Sequence, residues 1–414
     1  MPDILPEHAA VMRWMEDRSR ETFDIFGYME IRTPLLEATE VFSRSIGEDT
    51  DIVEKEMYSF KGRDGKSVSL RPEATASIIR AYIQHAFHAE KDITKFYYMG
   101  PMFRGERPQK GRQRQFNQIG AEIIGSSDPY VDAELILSLR ALLENLNING
   151  YKLLINSLGC VSDRAAYKKA LGGYLAKKSA KLCEDCVRRA NTNVLRVLDC
   201  KREECKKVIE KAPRVTDYLC GKCAEDYKSV KKILKRMKVG FEEKADLVRG
   251  LDYYTNTVFE VIHSALGAQD AIAAGGRYDN LTKQMGGPNV GATGYALGVE
   301  RLLLVIDAEG IRFSLPEVLV MSVDEASREE AFEITSRFRS HDIPCEMDLS
   351  GRSLKAQMRK ANKESRKYII MIGEEERKSS KLLLKNMETG EQESLTFEQI
   401  LDRIEAEKRR DERR

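Results

Sequence analysis

What the chain lacks narrows its class. No apolar run approaches the roughly eighteen residues that cross a bilayer as a helix, so no membrane span is expected. The opening MPDILPEHAAVM has no basic stretch followed by an apolar one, which argues against a secretory signal. The expected compartment is the cytoplasm, where the eight cysteines would stay reduced. Familiar nucleotide devices are missing too. "GRDGKS", residues 62–67, does not have the G-x-x-x-x-G-K-[ST] spacing. The glycines of "GATGYALG" are spaced wrongly for a dinucleotide fingerprint. Any ATP site must therefore be built from arginines on strands. The five histidines are scattered, and no cysteine has a histidine partner that would make it a nucleophile.

What is present is a chain of 414 residues, 42% apolar and 32% charged, long enough for two or three globular domains. Its net charge of +2 hides an asymmetry. Residues 164–238 hold 22 Lys+Arg against 9 Asp+Glu, a net of +13, which leaves about −11 elsewhere. A basic module on an acidic body points to a polyanionic partner; a solvated helical face is the alternative.

Residues 7–26 have the apolar spacing of an amphipathic helix, with Val11, Trp14, Met15, Phe23 and Phe26 among its apolar positions. A short strand ending in "EIRTPLLE" follows, with Pro34 unsuited to the middle of a paired strand. "LRPEATASIIRAYIQHAF" reads as a helix with Pro72 near its first turn. "KFYYMGPMFRG" and "RQFNQIGAEIIG" read as strands flanking a connection, hence an antiparallel hairpin. A helix around 130–147 and the strand "YKLLINSLG" come next. Residues 160–240, Lys- and Cys-rich and mostly helical, read as an insertion. "LVRGLDYYTNTVFEVIH" returns to a strand pattern, and "GVERLLLVIDAEG" is expected to be a helix. Beyond Pro316, short strands alternate with helices, so residues 316–414 form a small α/β domain with a charged tail expected to fray after Glu405.

The stretch "FRGERPQKGRQRQF", residues 103–116, sits at the centre of the argument. It carries Arg104, Arg107, Lys110, Arg112 and Arg114 against the single acid Glu106. Alternation along 115–124 puts Ile119, Ala121 and Ile123 on one strand face and Phe116, Gln118, Gly120 and Glu122 on the other. Met102, Arg104 and Glu106 alternate likewise. A face bearing an aromatic ring, arginine, carboxamide and carboxylates suits a ligand with both an anion and a cation; exposure to water is the other reading.

"GPMFRGERPQKGRQRQF", "LVRGLDYYTNTVFEV", "AGGRYDNL" and "ALGVERLLL" together resemble the histidyl-tRNA synthetases, class II aminoacyl-tRNA synthetases, over essentially the whole chain. The lack of class I signatures agrees. The resemblance implies an α+β fold: an antiparallel sheet flanked by helices, a mainly helical insertion and a C-terminal α/β anticodon-binding domain. Residues 1–159 and 241–310 would form the catalytic core, 160–240 the insertion and 316–414 the anticodon domain. It also implies a homodimer formed through the N-terminal helix and the strand ending at Pro34. L-histidine and ATP, with Mg²⁺, would give histidyl-adenylate, and the histidyl group would pass to tRNA(His).

By family position, Arg104 holds the α-phosphate, Glu106 lies near adenine, and Phe116 stacks under it. Arg301 lies opposite and reaches the γ-phosphate, and Arg112 is a further phosphate contact. Arg249 lies between the histidine carboxylate and the α-phosphate. Glu73, Thr75 and Gln118 match the groups that bind the α-ammonium. Glu122 and Tyr254 match those that read the imidazole, with Tyr253 and Tyr278 nearby.

Ala74 and Ser77 stand where the family usually has glycines, and Ala74 is expected to narrow the pocket or stiffen the helix start. The chain begins almost at "PDILP", where relatives often carry a few more residues. An inert relative, like the synthetase-like regulatory subunit of ATP phosphoribosyltransferase, is the alternative. It resembles only the catalytic core, whereas this chain keeps Arg249, "GLDYY" and a complete C-terminal domain.

The cysteines exceed what the resemblance requires. Cys183-x-x-Cys186 and Cys220-x-x-Cys223 could place four thiolates around one tetrahedral Zn²⁺. The alternative is reduced thiols on small helices, because the gap between the pairs is long for a compact zinc ribbon. Cys160 and Cys345 read as ordinary buried thiols.

Overall fold

The computed structural model describes residues 2–411 except 48, 49, 51, 108, 110, 268, 269, 309, 310 and 312–315. The chain divides into two compact units, Met1–Ile311 and Arg312–Arg414.

The first unit is built on an eight-stranded sheet. Its strands run, edge to edge, Met29–Glu30, Thr94–Phe103, Gln115–Ile124, Ala292–Gly298, Ala271–Arg277, Thr255–His263, Tyr151–Ser157 and Glu242–Glu243. The six central strands are antiparallel, and both short edge strands pair in parallel. The expected hairpin is present, with Met102 opposite Phe116 and Gly100 opposite Gln118.

The alternation along 115–124 separates two cores. Ile119, Ala121 and Ile123 pack with the helices Pro6–Ile25 and Pro129–Asn145. Both helices begin with proline in the first turn, where no backbone donor is needed. Asp128 caps the second by accepting from the Tyr130 N–H at 2.8 Å. On the other face, Tyr98, Phe116, Tyr253, Tyr254 and Tyr278 belong to a second cluster with the helix Thr75–Gln84. Gly120 is required here, because a Cβ would collide with the Tyr98 ring.

Several elements differ from their sequence expectation. The strand expected to end at Pro34 is only Met29–Glu30. The chain pairs again beyond the proline, at Leu36–Ala38, in a separate three-stranded sheet. Proline lacks the donor that would have continued one ladder. Residues 247–254 are irregular, and the strand begins only at Thr255. The helix expected from Val299 stops at Leu302 and gives way to turns. Residues 160–240 are mainly helical but do not stand apart. The helix Gly221–Arg236 sends Tyr227, Val230 and Leu234 into the core that lies behind the sheet.

The second unit has the strand order Cys345–Met347, Val318–Ser322, Tyr368–Ile372, Leu382–Asn386, Gln392–Leu395. The first three are parallel and the rest antiparallel. The last helix runs Phe397–Asp411, so the charged tail after Glu405 begins as helix. Glu407 ties it down by accepting from the Tyr368 hydroxyl and pairing with Lys367 at 3.3 Å. Residues 412–414 lie outside the described residues.

Candidate functional site

A cavity of about 550 Å³ opens over the polar face of the sheet. Glu73, Thr75, Arg104, Glu106, Arg112, Phe116, Gln118, Arg249, Tyr253, Tyr254 and Arg301 all line it. Segments far apart in sequence thus converge on one space. Glu122 and Tyr278 lie under its floor, joined to it through Thr75.

The floor is a closed polar network. The Thr75 hydroxyl donates to Glu122 Oε1 at 2.7 Å, and the Tyr278 hydroxyl donates to Glu122 Oε2. Burial pushes the Glu122 carboxyl up to about 8, with these two hydrogen bonds acting against it. Gly294 faces this carboxylate from the neighbouring strand, and a Cβ there would collide with it. Tyr253, Tyr254 and Tyr278 surround the network with ring centroids 4.7–6.4 Å apart. Glu73 accepts from the backbone N–H groups of Thr75 and Ala76 at 2.7 and 2.9 Å, so it caps the helix that presents Thr75. Its pKa is raised, chiefly by burial.

The arginines form the walls. Arg104 lies 5.2 Å from the Phe116 ring centroid and donates to the Pro72 carbonyl at 2.9 Å. Glu106 pairs with Arg112 at 2.8 Å and lies 3.9 Å from Arg104. Arg301 is held by the carbonyls of Gly111 and Ala271. Arg249 is half-buried, pairs with Glu260 at 2.8 Å and lies 5.7 Å from the Tyr254 ring centroid. Burial opposes its charge, but Tyr254, Glu260 and Asp199 outweigh it, so its pKa is raised. Among the described residues, Gln118 Oε1 and Arg249 Nε are buried with no hydrogen-bond partner. A ligand with an ammonium or an anion would satisfy them.

The chain matches the sequence profile described as "Histidyl-tRNA synthetase" over residues 1–302 and that described as "Anticodon binding domain" over 317–407. It is 46% identical to the histidine–tRNA ligase of Syntrophotalea carbinolica over 400 residues, covering 97% of this chain and 96% of the relative. It is 47% identical to that of Thermodesulfovibrio yellowstonii over 405 residues, covering 98% and 96%. The chain belongs to the histidyl-tRNA synthetase family. Among solved structures, apo histidyl-tRNA synthetase of Staphylococcus aureus matches with a TM-score of 0.80 at 33% identity over 97% of each chain. An ATP phosphoribosyltransferase regulatory subunit/histidyl-tRNA synthetase from Bacillus halodurans has a TM-score of 0.63 at 22% identity, covering 87% and 94% of the two chains. That likeness is one of fold alone.

Within this member of the family, Ala74 does not line the cavity and stands at the start of the helix Thr75–Gln84. It is wholly buried in the hydrophobic cluster beneath the helix, with φ −104° and ψ −23°, a conformation open to any residue. Arg114 is exposed and outside the cavity lining, and Lys110 lies outside the described residues. Arg277 of "GGRYD" is a structural anchor. It is wholly buried, pairs with Asp132 at 3.0 Å and Asp279 at 2.9 Å, and fixes the turn that presents Tyr278.

Sequence reasoning missed some wall residues. Arg189, Arg196, Asp199 and Lys201 reach the cavity from the insertion. Glu300 accepts from the backbone and side-chain nitrogens of Asn117 at 2.9–3.0 Å, locking the Arg301 segment to the hairpin. Glu300 stands within a motif already recognised, so its neighbour Arg301 was the available signal.

The four-cysteine set read from the sequence is not brought together. Cys183 and Cys186 group with Cys200 and Cys205, whereas Cys220 and Cys223 group with Cys160 and Asp163. The spacing alone could not show that the intervening chain folds back to supply the nearer partners. Cys160 is therefore not the ordinary buried thiol expected but a half-buried member of the second group, whereas Cys345 is buried in the core of the second unit as expected.

Proposed function

We propose that the chain activates L-histidine with ATP to histidyl-adenylate and pyrophosphate, then transfers the histidyl group to the 3′ end of tRNA(His). The observation that carries this reading is the convergence of Arg104, Gln118, Arg249, Tyr254 and Arg301 on one cavity above the Glu122 network.

ATP would lie between the Phe116 ring and Arg301. Arg104 and Arg112 would contact its phosphates, and Glu106, which orients Arg112, would lie near adenine. A guanidinium suits phosphate because its planar fork pairs with two oxygens and stays charged. Histidine would place its ammonium near Glu73, Thr75 and Gln118, and its imidazole toward Glu122 and Tyr254, beside Tyr253 and Tyr278. An imidazole has a nitrogen on each side, so partners across the ring fix it. A rival without those nitrogens leaves buried polar groups unpaired.

The histidine carboxylate attacks the α-phosphorus, a bond forms to that oxygen, and pyrophosphate leaves. Charge spreads over the phosphoryl oxygens, and the fixed cation of Arg249 stabilises it with little need for proton transfer. Family members use a divalent metal with ATP, and Mg²⁺ is the ion proposed. Glu106 and Glu260 already face arginines, so such an ion would be held mainly by phosphate oxygens and water, with Asp199 a further carboxylate in the wall. It would supply further charge neutralisation on the phosphates.

The catalytic body would comprise 1–159 and 241–310, the insertion 160–240 would bind the acceptor arm, and 316–414 the anticodon. Exposed Lys168, Lys169, Lys177 and Lys178 on the helix side of the insertion support the RNA contact. A homodimer is supported by exposed apolar groups near the N-terminal helix and the three-stranded sheet: Ile25, Leu35, Leu36 and Phe60. No helix among the described residues is long and apolar enough to cross a membrane, and a cytoplasmic location is proposed. Histidine-dependent exchange of labelled pyrophosphate into ATP tests the activity.

A further inference from the structure

We propose that the insertion holds one structural zinc ion bound by Cys183, Cys186, Cys200 and Cys205. The four Sγ atoms lie within 4.8 Å of one another, and Cys183 and Cys200 are 4.0 Å apart. Thiolates bound to Zn²⁺ at about 2.3 Å stand roughly 3.8 Å apart along a tetrahedron edge. The separation is twice a disulfide's S–S length of about 2 Å, and all four cysteines are free. Three are buried and Cys200 is half-buried, so the group is closed, as in a structural site.

The ligand spacing also fits. Cys183 is the N-cap of the helix Glu184–Thr192, and Cys186 lies in its first turn, so one bend of chain presents both sulfurs. Thirteen residues separate Cys186 from Cys200 and four separate Cys200 from Cys205. The Cys183 N–H donates to Cys205 Sγ at 3.3 Å, a contact that favours a charged thiolate. Four sulfur donors with no oxygen select a soft ion such as Zn²⁺ over Mg²⁺ or Ca²⁺. Convergence on a single point suits one ion better than an iron–sulfur cluster, whose thiolates are spread over several irons. Four thiolates around Zn²⁺ leave a residual negative charge, and the basic composition of the insertion offsets it.

The second group differs. Cys220 is exposed, Cys160 is half-buried, and Asp163 already accepts from the Cys160 N–H at 3.2 Å. It serves as the control.

The ion would fasten more than the insertion. Arg189, Arg196, Asp199 and Lys201 all lie between ligands Cys186 and Cys205 and all line the cavity. Asn193, in the same segment, donates to Asp252 at 3.1 Å, beside the loop that carries Arg249 and Tyr253. The zinc would hold one wall of the site in place without touching substrate.

The test is metal content of the full chain, purified without chelator from zinc-supplied cells and measured by mass spectrometry. It is independent of the ligase reading. The wild type should carry at least one zinc per chain, and Cys200→Ser should carry about one fewer, whereas Cys220→Ser keeps the ion that Cys200→Ser loses. X-ray absorption of Cys220→Ser should show a sulfur shell at about 2.3 Å. Should Cys200→Ser fail to fold, cobalt reconstitution of the wild type should give the intense bands of a tetrahedral tetrathiolate. A wild type with well under one zinc per chain and no such cobalt spectrum overturns the proposal. So does a folded Cys200→Ser chain that retains its full zinc.

Discussion

The Thr75 hydroxyl donates to Glu122 Oε1 at 2.7 Å, joining the first turn of a helix to the last part of a sheet strand under the cavity. Glu122 has a folded pKa of about 8, against 4.5 for its ordinary value. The folded chain therefore keeps a proton that the unfolded chain releases, and stability must fall as pH rises from about 4.5 toward 8. Glu122→Gln mimics the protonated carboxyl. Its thermal midpoint should decline less than the wild type's between pH 5 and pH 8. Equal declines would contradict the assignment of the proton to Glu122.

Arg277 has no solvent to fall back on. It is paired with Asp132 and Asp279 and accepts no substitute of similar reach and planarity. Arg277→Ala should destabilise the first unit by about 3–5 kcal/mol, the range for breaking a buried pair by removing one partner. Denaturant titration of the variant checks this. A change under about 1 kcal/mol, the range of surface pairs, would show that the network is not holding the turn.

Local patterns were legible where one residue's neighbours in sequence decide its environment. The parity of Ile119, Ala121 and Ile123 against Phe116, Gln118 and Glu122 follows from strand alternation: the first three lie in one core, Phe116 packs against the other, Gln118 lines the cavity and Glu122 joins the polar network. The motifs carrying Arg104, Arg249 and Arg301 led to one cavity because each motif fixes its own local frame. Asp199 and Arg196 were not legible, because their place depends on how the insertion folds back on the sheet. The cysteines failed for the same reason: spacing limits which thiols can meet but does not choose among them. The sequence left two roles open for Ala74, and its burial in the cluster below the helix, away from the cavity lining, is a tertiary fact.

The RNA-binding role proposed for the insertion makes an electrostatic prediction. Lys168, Lys169, Lys177 and Lys178 are exposed and can be replaced by serine without opening a core. Removing 164–238 outright would strip Tyr227, Val230 and Leu234 from the main core and is a poorer test. The fourfold variant should bind tRNA(His) more weakly and show a shallower dependence of log affinity on log salt, by roughly 0.7–0.9 for each phosphate no longer neutralised. An unchanged slope in filter-binding or fluorescence titrations would place the tRNA elsewhere.

Arg249 separates chemistry from RNA binding. Its half-buried guanidinium is partnered by Glu260, with the buried Nε left for a ligand. Arg249→Ala should slow histidyl-adenylate formation by about 10²–10³, the usual effect of removing one donor to a developing oxyanion, while tRNA affinity stays within about twofold. Rapid-quench measurement of adenylate and a parallel binding titration decide it. Equal losses in both would contradict the role.

The central claim is that this cavity activates histidine with ATP. The direct measurement is exchange of labelled pyrophosphate into ATP by the full chain, with and without L-histidine and with other amino acids in its place. Exchange that requires ATP and L-histidine, and that other amino acids do not support, is the predicted result. Folded protein that catalyses no histidine-dependent exchange would contradict the account.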